Sequence, residues 1–390
     1  MATPQTAAVI EMNGDAERDT RIAAIETRIV DCITTRRHKL SNTEITHQSY
    51  VIVEAKLASG AVGYGEASTL GGPRWSEESV EAIKANIDTY IAPALIGQPA
   101  LGFEANGLRM KKAVSRNSSA RAAVDSALYD AVGKALDLPA TAFLGGPVRD
   151  RVEVLWALAS GDPDQEIEEA KGKLAAREHR RFKIKLGFHS PADDMARLRK
   201  IMGAMPTGTE MVVDVNQGWS EATAIRYLPE LAELGVALIE QPLHPGQLAA
   251  TARIAARSLV PIMTDEAAFS NPELVQNAVA ASGSVYSLKL VKSGGLLEMK
   301  RAAGIASAFG MELYGGCLLE SGIGAAAHMA VFSTLPTLEW GCEHFGPRIL
   351  KNDLTSAGLV FKDFHIHMPT GPGLGITVDQ DVLRDVTRAA

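Results

Sequence analysis

The spacing of apolar positions changes twice along this 390-residue chain. Residues 1 to about 19 are small and polar without an apolar period, which predicts a disordered extension. From Ile22 the pattern becomes strand-like: Ile25-Glu-Thr-Arg-Ile-Val and Tyr50-Val-Ile-Val-Glu-Ala-Lys-Leu alternate or run apolar. The second stretch passes through Ala58-Ser-Gly-Ala into Val62-Gly-Tyr-Gly-Glu-Ala, a hairpin with a glycine turn. Helical stretches follow over about 77–95 and 119–136, the latter with Ala123, Leu128 and Val132 at helical spacing. Strands followed by helices, ending in the turn-rich stretch 138–149, predict an α+β domain over 20–148.

Further on, short apolar runs recur at 152–158, 182–186, 211–215, 236–239, 260–263, 285–291, 311–314 and 338–340, about 25 to 30 residues apart. Helical segments such as 192–202 and 222–233 lie between most of them. Eight βα units of this spacing predict an α/β fold, a (β/α)8 barrel over 149–360. A doubly wound sheet is the competing reading, but it usually has fewer strands and a glycine-rich first turn, which is absent here. The segment 361–390, with Pro372-Gly-Leu-Gly, follows the eighth unit and is expected to return to the N-terminal domain.

Composition narrows the class. Apolar residues at 46% and charged residues at 22% fit a soluble globular protein. Lys and Arg total 39 against 46 Asp and Glu, and a net charge of −7 argues against a nucleic-acid partner. Cys32, Cys317 and Cys342 form no CxxC pair, so neither a disulfide scaffold nor a structural zinc site is expected. The first residues lack the basic and apolar regions of a secretory signal. The longest apolar stretch, 322–335, is too short for a bilayer and carries His328. A soluble, cytoplasmic protein without a membrane partner is expected.

The placement of charge is more telling. The second run ends Lys183-Ile-Lys185, the third Asp214-Val-Asn216, the fourth Glu240-Gln241 and the fifth Asp265-Glu266. The sixth carries Lys289 within Ser-Leu-Lys-Leu-Val-Lys, Glu320 follows the seventh, and the eighth ends at Glu343. In such a barrel, catalytic groups come from the carboxyl ends of different strands. Asp214, Glu240 and Asp265 lie 26 and 25 residues apart, one βα unit each. Like charges packed together oppose one another's ionisation, and a divalent cation with oxygen ligands removes that cost. Surface acids, or acids paired singly with Lys or Arg, are the plainer reading. Lys183 and Lys185 share one strand face, four strands from Lys289. Buried lysines are rare, and neighbouring ammoniums depress one another's pKa, which suits a base; structural salt bridges are the alternative. Together the parts fit a metal that binds a substrate carboxylate and stabilises an enediolate, with lysines on opposite faces moving the proton.

These marks, with Glu240-Gln241-Pro242 and Lys292-Ser-Gly-Gly, resemble the enolase superfamily in its muconate-lactonizing subgroup, over nearly the whole chain from about residue 22. Arg37-His-Lys-Leu, Gly63-Tyr-Gly-Glu-Ala and Ala92-Pro-Ala-Leu-Ile-Gly are similar to stretches of its capping domain. Thr69-Leu-Gly-Gly, Leu313-Tyr-Gly-Gly-Cys-Leu-Leu-Glu and Glu343-His-Phe-Gly-Pro are similar to muconate or chloromuconate cycloisomerases. The resemblance implies an enolase-type barrel with an N-terminal α+β capping domain. It also implies reversible conversion of cis,cis-muconate, or a substituted muconate, into muconolactone during catechol breakdown. It makes Lys185 the leading acid/base, Lys183 its electrostatic partner, and Lys289 and Glu343 further active-site groups. Asp214, Glu240 and Asp265 become ligands of Mg²⁺ or Mn²⁺, with Asn216, Glu266 and Glu320 supporting them. A homo-oligomer, an octamer in many members, is implied by resemblance alone.

The cap loop that follows Leu70 and Gly71 departs from the family pattern at Pro73-Arg-Trp-Ser. This loop, with Leu70, Gly71, Arg74 and Trp75, is expected to cover a dicarboxylate substrate. Arg74 either pairs with its distal carboxylate or stands exposed on the rim. A racemase or epimerase of N-acyl amino acids or dipeptides, or an o-succinylbenzoate-synthase-like lyase, uses the same metal and lysine set. Dipeptide epimerases typically carry an Asp-x-Asp element near the eighth strand, absent here. A catalytically silent metal-binding scaffold would not need both lysine positions filled.

Overall fold

The computed structural model describes residues 19–39 and 43–389. All but the last residue of the expected extension over 1–19 therefore lies outside the described residues. Strands β1 (Ile22–Lys39), β2 (Glu44–Leu57) and β3 (Val62–Thr69) form an antiparallel meander, with Val30 opposite Tyr50 and Tyr50 opposite Ser68. Helix Ser118–Leu136 lies against β3 and β2. The glycines of Val62-Gly-Tyr-Gly make that approach possible. A Cβ on Gly65 would stand 1.9 Å from the Ala123 carbonyl oxygen, and one on Gly63 would stand 2.2 Å from that of Ala127. The helix also touches the barrel at Leu290–Ser293, so the cap's small-residue helix is buried on opposite sides.

Seven parallel strands follow in sequential order, and we number them as staves: Trp156–Leu158, Arg181–Lys185, Glu210–Asp214, Leu238–Glu240, Ile262–Thr264, Val285–Leu288 and Glu312–Gly315. The eighth position is filled by residues 341–343. Glu343 N–H donates to Gly315 O and Leu155 N–H to Cys342 O, each at 2.9 Å, which closes the ring on both sides.

Three expected runs shift. The strand expected at 338–340 is displaced to 341–343, because Gly341 (φ 63°) makes the turn that brings Cys342 between its neighbours. The run 152–158 is two strands: Arg151–Glu153 pairs with the tail strand His365–His367, and only Trp156–Leu158 enters the barrel. The run 285–291 stops as a strand at Leu288, and Lys289 opens the single helical turn Leu290–Ser293. The tail then reaches the cap, where Leu374 N–H donates to Asp130 Oδ1 (2.8 Å) and Arg388 pairs with Asp31 (2.8 Å) and Glu81 (2.6 Å).

Alternation along the staves sorts their side chains. Phe182, Ile184, Met211, Val213, Ile239 and Ile262 point outward into the large core shared with the helices. Leu155, Val212, Leu238, Met263, Val285 and Tyr314 form a separate buried cluster inside the ring. Asp214, Glu240 and Asp265 are each two residues beyond a member of that cluster, so the barrel carries an apolar floor beneath a charged mouth.

Candidate active site

The mouth is buried and lined mostly by charged groups. Lys183 is 0% exposed, and its Nζ lies 2.5 Å from both Glu240 Oε2 and Glu343 Oε2. Lys185 Nζ donates to Asp214 Oδ2 at 2.6 Å and approaches Asn216 Oδ1 at 3.5 Å. Across the ring, Lys289 donates to Asp265 Oδ2, and Lys292 reaches the other oxygen of the same carboxylate at 3.0 Å. Tyr314 Oη (3.0 Å) and the Cys317 N–H (3.0 Å) also donate to Glu343. Asn216 N–H donates to Asp214 Oδ1 at 2.8 Å, and Asn216 Nδ2 lies 3.4 Å from Glu266 Oε1.

Backbone strain gathers at the same level. Asn216 (φ 42°), Gln217 (68°), Gln241 (34°) and Leu319 (56°) occupy the left-handed region just past their staves. Gln241 braces the neighbouring stave, its Oε1 accepting the N–H groups of Asp265 (3.0 Å) and Ala267 (3.1 Å).

The expected lowering of lysine pKa by neighbouring ammoniums is outweighed. Burial opposes charge on Lys183, but Glu240 and Glu343 prevail and hold it well above the ordinary lysine value. Lys185 is also raised: burial and Lys183 pull it down, and Asp214 wins. Burial likewise opposes Lys289, which Asp265 raises. Asp265 itself, despite burial, is held below the usual carboxylate range by Lys289 and Lys292. Glu240 shares its lysine with Glu343, and burial together with Asp214 pushes it well up, toward the neutral acid. Burial, Asp265 and Asp214 push Glu266 to about 7.

Carboxylates so crowded are short of positive charge. Glu240 Oε2 touches Lys183 without hydrogen-bond alignment, and the buried Glu266 Oε2 has no partner among the described residues. Asp214, Glu240 and Asp265, with Glu266 beside them, are hard oxygen donors from adjacent staves, which fits a divalent cation of the Mg²⁺ type.

The cap contributes Trp75, whose ring stands 4.3 Å from Lys289 Nζ and packs on Phe269 with centroids 5.0 Å apart. Leu70 is buried at the base of this loop, and Gly71 (φ 70°) turns it. Arg74 points elsewhere: its Nη1 reaches Thr43 Oγ1 (3.3 Å), and it lines an outer hollow shared with Ser79, Glu81 and Arg388.

Glu320 has a setting of its own, beside His328 and His344 in a buried trio. His328 is fully engaged: its Nδ1 lies 2.8 Å from Gly324 O, and its Nε2 accepts the Leu290 N–H at 3.0 Å. Burial pushes Glu320 to about 7. Lys292 and Gln241 join the site although their motifs alone give them no role; the Lys289-x-x-Lys292 spacing on one helical turn is the signal that marks the first of them. The sequence pattern does not foresee the His328–His344 pair, whose rings lie 4.2 Å apart.

A sealed barrel with acids on three adjacent staves and lysines on the second and sixth defines an enolase-type enzyme. Residues 165–382 match the enolase C-terminal domain-like family, and 24–145 match the mandelate racemase / muconate lactonizing enzyme N-terminal domain. The chain belongs to the mandelate racemase / muconate lactonizing enzyme family, whose members use a divalent metal. It is 43% identical to a chloromuconate cycloisomerase of Cupriavidus necator over 370 residues, 95% of this chain and all of that one. It is 41% identical to muconate cycloisomerase 1-2 of Acinetobacter lwoffii, covering 94% of this chain and 96% of the relative. A Pseudomonas fluorescens muconate lactonizing enzyme, solved with muconolactone, superposes with a TM-score of 0.93 at 41% identity, covering 95% of this chain and 100% of that one. Among the described residues, no helix is long and apolar enough to cross a membrane.

Proposed function

We propose that this protein is a divalent-metal-dependent cycloisomerase that interconverts cis,cis-muconate, or a chlorinated or methylated muconate, and the corresponding muconolactone. The observation that carries the reading is the arrangement of Lys183 and Lys185 on the second stave and Lys289 on the sixth, flanking the carboxylates of the third to fifth. Asp214, Glu240 and Asp265 would hold Mg²⁺ or Mn²⁺, which when bound offsets negative charge building on a substrate carboxylate.

The remaining work falls to the chain. One carboxylate oxygen of the diene adds across the conjugated double bond, and the carbon left electron-rich beside the other carboxylate takes a proton from Lys185. Lys183, shared by Glu240 and Glu343, fixes the electrostatics around it. Lys289 serves the opposite face, with Lys292 holding its partner Asp265. Asn216 and Glu266 brace the ligand acids, and Glu320 supports the site from its place beside His328 and His344. Trp75 and the loop from Leu70 and Gly71 cover the mouth and exclude water.

The test is loss of the conjugated-diene ultraviolet band when the protein meets muconate and Mn²⁺ or Mg²⁺. Persistence of the band, with solvent deuterium entering the α-carbon of an N-acyl amino acid or dipeptide, would replace this reading with an epimerase. A cytoplasmic location and a homo-octamer belong to the same proposal and are checked by fractionation and by light scattering.

A further inference from the structure

Lys185 is the last residue of the second stave, and on one side of it the sheet runs out. The first and second staves pair from Trp156 with Phe182 to Leu158 with Ile184, whereas the second and third pair as far as Lys185 with Asp214. Leu186 N–H donates to Asp214 O at 2.8 Å on the third stave. The Lys185 carbonyl of the same trans peptide therefore points the other way, past the end of the first stave. A buried carbonyl without a partner is costly, and here no strand supplies one. A side chain does. Arg197, in the helix Pro191–Ala204 after the second stave, is buried, and its Nη2 donates to Lys185 O. Its Nη1 donates to the buried Glu166 Oε2 (3.2 Å), and Glu166 Oε1 accepts the Gly161 N–H (2.9 Å) just beyond the first stave. One helical turn before Arg197, Asp194 Oδ2 accepts the Gly187 N–H at 2.6 Å. Phe188 covers the guanidinium, with its ring centroid 5.0 Å from Arg197 Cζ.

The chain of contacts from Gly161 through Glu166 and Arg197 to Lys185 stands where strand pairing between the first two staves has ended. A planar guanidinium suits that place, because its fork meets two acceptors at once. Lys183, two residues earlier, does not depend on it. Lys183 is paired in register with Ala157 on one side and Val212 on the other, and its ammonium is held by Glu240 and Glu343. We propose that Arg197 is a positioning residue for Lys185: by holding the Lys185 carbonyl it fixes the main chain from which Nζ reaches Asp214 and the reacting carbon. The inference rests on the cycloisomerase reading for the role of Lys185, and adds the group that sets where that lysine stands. Arg197 acts through geometry, and a displacement of about 1 Å at a reacting group can lower a rate about a hundredfold.

The test compares the Mn²⁺-loaded full chain with Arg197→Ala and with Arg197→Lys, which keeps a charge for Glu166 should alanine prevent folding. Turnover is read from the diene band. The positions of Lys183, Lys185 and Lys289 are read from the rate at which acetic anhydride labels each, resolved by mass spectrometry. In Arg197→Ala, kcat should fall about 10- to 100-fold, with KM and Mn²⁺ affinity close to native. Labelling of Lys185 should rise several-fold while Lys183 and Lys289 keep their native rates. Arg197→Lys should show smaller changes in the same direction, since one ammonium cannot serve both acceptors as the fork does. In whichever variant folds, a loss of kcat without faster labelling of Lys185, faster labelling without a loss of kcat, or an equal gain at Lys183 overturns the proposal. If the native protein removes the diene band and the variants match it in both readouts, the cycloisomerase reading stands and Arg197 has no such role. If the native protein leaves the band untouched, that reading fails, and the labelling pattern alone decides whether Arg197 holds Lys185 in place.

Discussion

The floor and the mouth of the barrel lie two residues apart on the same staves and obey opposite physics. At the floor, Leu155, Val212, Leu238, Met263, Val285 and Tyr314 exclude water and satisfy one another by contact alone. At the mouth, Lys183, Lys185, Lys289 and Lys292 face Asp214, Glu240, Asp265 and Glu343 with the same lack of solvent. Burying paired charge contributes little net stability and often less than apolar packing of equal volume would. The floor therefore stabilises the ring, while the mouth spends stability to hold ions at fixed positions, as sites selected for activity commonly do. Tyr314 joins the layers, its ring in the floor cluster and its hydroxyl on Glu343.

That contrast can be broken from either side. The largest effect should come from Lys185→Ala, which is expected to lower turnover of muconate by about 10²- to 10⁴-fold while the metal-loaded protein stays folded. Diene-band loss read alongside circular dichroism checks it, and turnover within a few-fold of native would remove Lys185 from its role. Asp265→Asn should weaken Mn²⁺ binding by more than about tenfold, since even groups behind metal ligands contribute that much. A calorimetric titration showing native affinity would exclude Asp265 from the ligand set.

The floor should respond in the other currency. Leu238→Ala, at a fully buried position, is expected to lose about 2–5 kcal/mol of stability with turnover per folded molecule nearly native. Urea unfolding and active-site titration separate the two; a large fall in turnover at native stability would contradict the layered picture. Arg74→Ala should change least, with KM shifting less than about twofold, because an exposed side chain away from buried partners is energetically minor. A KM increase of tenfold or more would show that the guanidinium swings inward to the substrate.

Much of the mouth was legible in the chain. A strand places every second residue on one face, so Lys183-Ile-Lys185 had to present both lysines together, and acids one βα unit apart had to fall on neighbouring staves. Pairing was not legible. Lys183 is neutralised by Glu343 from 160 residues away, and no local spacing encodes that contact. The expected base-like lowering of the lysines failed for this reason, as distant acids outweigh the neighbouring ammonium. The eighth stave was misplaced because one residue bridged on either side leaves almost no periodic signal. Nothing local in Arg37-His-Lys-Leu says that β1 runs out to the first stave, where Lys39 N–H donates to Ala159 O.

The order of residues by itself determined the barrel class, the inward set of lysines and acids, and the cap's glycine-spaced strand, because each follows from short-range periodicity and close packing. Tertiary structure alone decided which ammonium meets which carboxylate and where the ring closes. Those outcomes depend on contacts between segments far apart in the chain, where burial strengthens every electrostatic term and local propensity has no say.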